Sequence, residues 1–275
     1  MSEATQQTPA PESPTPRPPL PSSTLLMLRD DAAGLQIFMV KRHHAIDFAS
    51  GAMVFPGGKL AEGDSDPALS RHLRPGVFDP ALTPFALGAI REAFEESGLL
   101  LARRKGQGNF LSADDVAKLD HWREPLNSGA KTLRDMAEAE QLDYALDALV
   151  TFAHWVTPVS MPKRFDTWFF LAPAPAGQIG SHDGSESVDS EWVQPQTALD
   201  AWEKRARVIV FPTRMQLVKL ARAASVADAF AKARAEPIIT VMPVLDKTAP
   251  GEPHLRIPAE AGYGITGIPV SQIGM

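Results

Sequence analysis

Arg91-Glu92-Ala93-Phe94-Glu95-Glu96-Ser97-Gly98-Leu99 is the stretch of this 275-residue chain with the clearest capacity for chemistry. On a helix at about 100° per residue, Glu92, Glu95 and Glu96 stand at i, i+3 and i+4 and share one face. Leu87, Ile90 and Phe94 fall on the opposite face and would anchor the helix to a core. Three carboxylates on one turn repel one another unless a cation lies among them. They are also hard oxygen ligands of the kind that hold Mg²⁺ or Mn²⁺. Such an ion binds phosphate oxygens, offsets the charge that develops on them and acidifies a bound water. A run of acids is equally the composition of a solvated helix face, so the glutamates alone leave both meanings open. Upstream, Phe55-Pro56-Gly57-Gly58 ends an apolar run in a glycine pair, and Asp64 follows Gly58 after five residues. Glycine lets a backbone carbonyl approach a metal or phosphate closely, although an ordinary strand-ending turn would also suit FPGG.

The elements that must position these residues are legible from pattern. The acidic stretch lies in a helix expected from Pro84 to Gly98, with proline in its first turn and glycine at its end. Residues 23–30 and 35–42 are apolar runs split by the turn-like DDAAG, which predicts a hairpin. Residues 52–55 predict a short strand leading into the glycine pair, and 65–83 an inserted loop. Ser112-x-x-Asp115 opens a helix, and a second is expected near 129–149. The block 112–150 is too long for a simple connection and predicts a helical insertion. Core strands are expected at 151–158 and 165–173, a further strand at 187–193, helices at 195–205 and 213–233, and a last strand at 238–245. Strands that bracket helices in this order predict an α/β fold, a mixed sandwich and not a regular βαβ alternation. Residues 1–22 hold seven of the 25 prolines and little that could pack, so a disordered tail is expected there, followed by one domain over 23–275.

Composition narrows the class. Lys and Arg number 27 against 33 Asp and Glu, a net charge of −6 with no basic cluster, which argues against a nucleic-acid partner. The absence of cysteine excludes disulfides, thiolate metal sites and a cysteine nucleophile. No apolar run approaches the roughly 20 residues of a membrane helix, and no signal peptide is evident. The expectation is a cytoplasmic protein with no membrane partner; a homodimer stays open. Gly262-x-Gly264-x-x-Gly267 leaves too little chain after it for a dinucleotide fold. His43, His44 and Asp47 do not make a metal cluster, because neighbours on a strand point to opposite faces. The chain has no P-loop and no H-E-x-x-H or G-x-S-x-G motif, and its C-terminal Gln-Ile-Gly-Met is not the peroxisomal Ser-Lys-Leu address.

FPGGKLAEGD followed by REAFEESGL resembles the Nudix box, G-x5-E-x7-R-E-U-x-E-E-x-G-U with U aliphatic. Gly58, Arg91, Glu92, Glu95, Glu96, Gly98 and Leu99 match it. Asp64 stands where the family has Glu, and 26 residues separate it from Arg91 where the family has seven. That insertion, with Trp155-Val156-Thr157-Pro158 and Arg164-Phe165-Asp166-Thr167-Trp168 downstream, resembles the branch containing the peroxisomal coenzyme A diphosphatase-like proteins. The resemblance covers roughly residues 23–250. It implies a Nudix α/β/α sandwich with a mixed sheet and additional helical insertions. It also implies a hydrolase that splits the pyrophosphate of a nucleoside diphosphate linked to another group. Glu95 and Glu96 would be the main ligands of Mg²⁺ or Mn²⁺, Glu92 a ligand or proton acceptor, and the carbonyl of Gly57 or Gly58 a further ligand. Arg91 would bond Asp64 and fix the loop against the helix.

For substrate, coenzyme A-directed Nudix proteins carry an upstream motif whose spacing Arg42, Gly51 and Phe55-Pro56-Gly57-Gly58 match. His43 and Asp47 depart from it, and a carboxylate at 47 would repel a phosphate. Coenzyme A or an acyl derivative leads; nucleotide sugars, dinucleotides and oxidised nucleotides stay open. Arg164 is a candidate phosphate contact against a strand-end charge. Glu186 is a candidate late metal ligand or base against a solvated loop. Trp155 and Trp168 are candidates for base stacking against core packing. The alternative from another class is a catalytically silent Nudix-fold nucleotide-binding or regulatory module, which the intact REAFEESGL argues against.

Overall fold

The computed structural model describes residues 17–42, 51–74, 78–181, 187–248 and 250–273. In chain order these form β1 (Leu20–Asp31), β2 (Gly34–Arg42), β3 (Met53–Val54), β4 (Gly57–Lys59), α1 (Thr83–Ser97), β5 (Ala102–Arg104), α2 (Ala113–Ala117), α3 (Arg123–Asn127) and α4 (Leu133–Glu140). Then come β6 (Leu142–Tyr144), β7 (Val150–Val156), β8 (Phe165–Pro173), β9 (Ser187–Val193), α5 (Pro195–Glu203), α6 (Phe211–Leu220) and α7 (Val226–Ala235). The chain closes with β10 (Thr240–Val241), β11 (Val244–Asp246), β12 (His254–Arg256) and β13 (Gly267–Pro269).

Side chains alternate across β1, β2 and β8, and both faces are apolar, as in a sheet covered on each side. Leu25, Met27, Phe38, Val40 and Phe170 face the core under α1, while Leu26, Leu28, Ile37, Met39 and Leu171 face the core under α5–α7. The result is a helix–sheet–helix sandwich around one mixed eight-stranded sheet. The spine runs β10-β7-β8-β1-β2-β3, with β4 added beside β1 and β9 beside β2. β1 and β8 run parallel, with Ser23 opposite Trp168; β1 and β2 make the expected hairpin, Asp31 opposite Gly34. β4 closes antiparallel on β1, with Gly58 opposite Ser23 and Gly57 opposite Thr24, so the glycine pair is fixed to the sheet.

α1 follows its sequence closely. Pro84 sits in the first turn, Gly98 ends the helix at φ 68, and its N–H returns to the Phe94 carbonyl at 2.8 Å. Leu87, Ile90 and Phe94 are fully buried on the sheet side, each contributing about 2 kcal/mol of apolar burial.

The inserted stretch after Asp64 is not an idle loop. It forms two 3₁₀ turns, at Glu62–Ser65 and Pro67–His72, that dock on the helical block. Asp66 accepts from Arg134 Nη1 at 2.9 Å, and His72 Nδ1 meets the Leu142 carbonyl at 2.9 Å. Leu69, Leu133, Met136 and Tyr144 extend the α1-side core between them.

Several expected boundaries moved. The order of β1 begins at Leu20, three residues before 23, and residues 1–16 of the proline-rich tail lie outside the described residues. The helix expected near 129–149 stops at Glu140: Gln141 turns left-handed at φ 52, and Leu142–Tyr144 pairs with β5. The helix expected at 213–233 is two helices, because Ser225 caps a new start by accepting from the Asp228 N–H at 3.1 Å. The strand expected at 238–245 is split at Pro243: β10 pairs with β7, whereas β11 joins a separate three-stranded sheet with β12 and β13.

Candidate active site

The geometry centres on one buried guanidinium. Arg91 Nε donates to Asp64 Oδ1 at 2.9 Å and Oδ2 at 3.2 Å. Its Nη1 donates to Glu95 Oε2 at 2.9 Å and Oε1 at 3.1 Å. Its Nη2 reaches the Lys59 carbonyl at 2.8 Å, Asp64 Oδ2 at 3.0 Å and Glu92 Oε1 at 3.0 Å. The Arg91–Asp64 pair implied by the resemblance is therefore present, and the shorter Asp reaches because its 3₁₀ turn carries it inward. Asp64 Oδ2 also accepts from the Ala61 N–H at 2.8 Å, which closes the turn on itself. One side chain thus ties the loop after β4 to the acidic turn of α1.

Glu96 secures the glycine pair from the other side, its Oε2 accepting from the Gly57 N–H at 3.2 Å. The two glycines do different work. A Cβ at Gly57 would meet the Ser23 carbonyl at 2.5 Å and the Thr24 Cα at 2.8 Å, backbone that cannot move while β4 pairs with β1. A Cβ at Gly58 would meet the Glu92 carboxylate at 2.5 Å. The backbone of Gly58 and the carboxylate of Glu92 are in direct apposition, which only glycine permits.

Charge is unbalanced here. Three carboxylates share Arg91, and Glu96 adds a fourth. Burial pushes the Glu95 carboxyl up to about 7, against the pull of Arg91 and with the push of Glu92. Arg91 is held above its ordinary value, because its carboxylate neighbours outweigh burial. Among the described residues, no three acids or histidines already surround one point. The donor set still suits a hard divalent ion: clustered carboxylates with excess negative charge, and a backbone laid against them where a side chain would not fit. Holding such an ion would require Glu95 to turn from Arg91.

Other candidates fall in different places. Arg42 ends β2, and its Nε is buried with no hydrogen-bond partner among the described residues. Arg164 is a clamp at the start of β8: Nε donates to the Thr157 carbonyl at 3.1 Å and Nη1 to the Arg17 carbonyl at 2.9 Å. That geometry favours the strand-end role over the phosphate contact. Glu186, His43, His44 and Asp47 lie outside the described residues. Trp155 is core, donating from Nε1 to Tyr263 Oη at 2.8 Å. Trp168 packs between Phe85 and His154, stacked on the imidazole with centroids 4.0 Å apart.

Sequence reasoning missed three neighbours. A Cβ at Gly88 would sit 3.0 Å from Asp64 Oδ2 and 3.1 Å from Ser23 Oγ, so α1 needs glycine where it crosses the loop. A glycine inside a helix costs about 1 kcal/mol relative to alanine, and that cost was the available signal. Ser23 carried none, because its place opposite Gly58 comes from strand register. His154 bridges Asp166 at 2.5 Å and Thr240 at 2.9 Å across three strands, a contact no local pattern encodes.

Known proteins bear on this geometry. The NUDT19 Nudix domain family matches residues 77–222, more than half of the chain. The acyl-coenzyme A diphosphatase NUDT19 of Homo sapiens is 26% identical over 275 residues, covering 84% of this chain and 73% of that protein. The protein of the same name from Xenopus laevis is 26% identical over 235 residues, 70% of this chain; the match spans 61% of the frog protein, less than two thirds of its length. In the crystal structure of a NUDIX hydrolase from Alicyclobacillus acidocaldarius, the similar region covers 78% of this chain and 96% of that one, with TM-score 0.66 and 26% identity. The fold is the α/β Nudix sandwich, and the chain belongs to the NUDT19 Nudix domain family.

Proposed function

We propose that this protein hydrolyses the pyrophosphate of a nucleoside diphosphate linked to another group, with coenzyme A or an acyl-coenzyme A as substrate and Mg²⁺ or Mn²⁺ as cofactor. The observation that carries the proposal is the single guanidinium joining Asp64, Glu92 and Glu95 while Glu96 holds Gly57. It fixes a carboxylate-rich turn against a bare backbone loop. The relatives named as acyl-coenzyme A diphosphatases support the substrate class.

Glu95 and Glu96, with Glu92 and the Gly58 carbonyl, are the groups that would hold the cation. When bound, it would supply charge neutralisation on the phosphate oxygens and an acidified water. Glu92 lies where it can accept a proton, its carboxylate against Gly58 and its charge tempered by Arg91. Arg91 positions: it keeps three acids and the loop in one arrangement, so that little reorganisation is needed when the phosphates arrive. Arg42 offers a donor for a phosphate oxygen. The absence of cysteine suits a reducing compartment such as the cytoplasm, which cell fractionation would test.

The test is a panel of coenzyme A, a long-chain acyl-coenzyme A, ADP-ribose, NADH and a nucleotide sugar, each with Mg²⁺, with Mn²⁺ and with chelator. Metal-dependent cleavage of a coenzyme A substrate to two phosphomonoesters is expected. Feeble, equal turnover of every compound would favour a nucleotide-binding module without catalysis.

A further inference from the structure

Glu95 and Glu96 lie in the C-terminal turn of α1, and the carbonyls of a helix's last turn have no partner within the helix. Here they are met from outside. The Ser97 carbonyl accepts the Ser181 N–H at 2.9 Å, and the Glu95 carbonyl accepts Arg123 Nε at 3.0 Å. Arg123 heads α3, inside the helical insertion and 28 residues beyond Glu95. We propose that Arg123 is a positioning residue, through which the insertion holds the backbone of Glu95 and Glu96 still while their carboxylates take up a divalent cation. The assignment rests on the pyrophosphatase activity proposed above.

The surroundings fit this role. Gly98 ends α1 at φ 68, and the Arg123 guanidinium lies against it: a Cβ at Gly98 would stand 3.6 Å from Nη1 and 3.8 Å from Cζ. Nη1 also donates to Asp120 Oδ1 at 3.1 Å. The Arg123 side chain is only 16% exposed, and its Nη2 is buried with no hydrogen-bond partner among the described residues. Burying a guanidinium with a donor left over is unfavourable in itself. The negative end of the helix dipole and the acids of that turn favour a cation at this place.

The insertion keeps Arg123 in place. Leu119 and Leu126 stand on either side of it in the chain and are buried in the α1-side core. The adjacent Trp122 donates from Nε1 to Glu140 Oε1 at 3.0 Å, which ties the turn before α3 to the end of α4. Glu95 is therefore held twice, by Arg91 at its carboxylate and by Arg123 at its backbone. The two contacts differ in consequence. Turning the carboxylate from Arg91 toward a cation gives up the first contact. The second does not involve the side chain and survives that turn. It acts on metal affinity as the outer partners of ligands generally do, by limiting the arrangements that the ligands sample.

Arg123→Met removes the bond, and the neutral Arg123→Gln repeats the removal should the Met variant melt below the assay temperature. Mn²⁺ is titrated into the full chain without substrate and followed by electron paramagnetic resonance. It should bind about ten- to a hundredfold more weakly in either variant. Arg123→Lys, which keeps a charged donor at the helix end, should stay within about threefold of the unsubstituted protein. Asp120→Asn loses only an exposed ion pair and should leave the affinity unchanged. In the metal-free protein, the Gly98 amide closes the last turn on the Phe94 carbonyl. Its hydrogen exchange should quicken at least about tenfold in Arg123→Met, while that of the Ile90 amide in the middle of α1 holds. Equal Mn²⁺ affinity and equal Gly98 exchange in Arg123→Met overturn the assignment even in an active enzyme, and so does an equal acceleration at Ile90. Weaker Mn²⁺ binding with faster Gly98 exchange, in a protein that cleaves no substrate, would uphold the role of Arg123 and remove the pyrophosphatase activity.

Discussion

Two buried arginines on opposite faces of the sheet solve the same problem in opposite ways. Arg91, under α1, is ringed by Asp64, Glu92 and Glu95, and those carboxylates hold its pKa above the ordinary value against burial. Arg214, on α6, lies 3.8 Å over the Trp202 ring and 5.5 Å over Phe211. No carboxylate among the described residues pairs with it, its Nη1 has no hydrogen-bond partner among them, and desolvation lowers its pKa to about 10. One site gathers more negative charge than its cation balances; the other cushions a cation on aromatic faces. Surplus charge is costly to bury unless something is to be bound there, whereas a cation on rings serves packing. The contrast supports the proposal of chemistry at the first site and packing at the second.

The strongest way to break the contrast is to neutralise the surplus. Glu95→Gln and Glu96→Gln should each lower metal-dependent turnover by about a thousandfold or more, equivalent to roughly 4 kcal/mol of barrier. Thermal melting should show the fold intact. Full activity in the double variant would remove these acids from the reaction.

Next comes Arg91→Met. Removing this cation leaves Asp64, Glu92 and Glu95 facing one another, so denaturant unfolding should show a loss of about 3–5 kcal/mol. An unfolding midpoint close to that of the unsubstituted protein would mean that the network is worth little.

Gly58→Ala sharpens the picture within the site. The atoms nearest the new methyl belong to the Glu92 carboxylate, the far end of a side chain and not backbone, so melting should hold while turnover falls about ten- to a hundredfold. Gly57→Ala meets fixed backbone and should lower stability as well. Equal effects of the two on melting would erase the distinction between them.

The Glu95 carboxyl gives a smaller, signed effect without added metal. Its pKa is raised from 4.5 to about 7 in the folded chain, so between those values the folded protein holds a proton that the unfolded chain has lost. Stability from this group is fully present below 4.5 and is lost as pH rises through about 7. The melting temperature of the unsubstituted protein minus that of Glu95→Gln should therefore become more negative over that range. A difference independent of pH would contradict it.

Arg214→Met closes the series: an apolar side chain of similar length should change stability by less than about 1 kcal/mol and leave turnover alone. A large loss would mean that the bare cation has a partner it needs.

Much of this was readable in the residues. The periodicity of Leu87, Ile90 and Phe94 against Glu92, Glu95 and Glu96 sets which face of α1 packs and which carries charge. Pro84 and Gly98 mark its ends through fixed φ and a left-handed cap. Apolar β-branched and aromatic runs identify β1, β2, β7 and β8. Where those signals are weak the boundaries moved: Gln141 ends a helix with φ above zero, and Ser225 starts another inside an apparently continuous pattern. The short β5–β6 pair joins strands some forty residues apart, and the β11–β13 sheet is built from three-residue strands too short to carry a pattern.

The sequence by itself determined the acidic turn, the glycine pair and the helix that carries the former, because each is written in neighbours a few residues apart. The Arg91–Asp64 pair, implied by the resemblance, forms across 26 intervening residues; only the tertiary structure decided that Ser23 lies between Gly58 and Trp168 and that Arg164 grips backbone carbonyls. It also decided that the stretch after Asp64 folds onto the helical block. Those outcomes depend on strand register and on which faces close against one another. Burial energy settles them over the whole chain at once, and no local spacing encodes them.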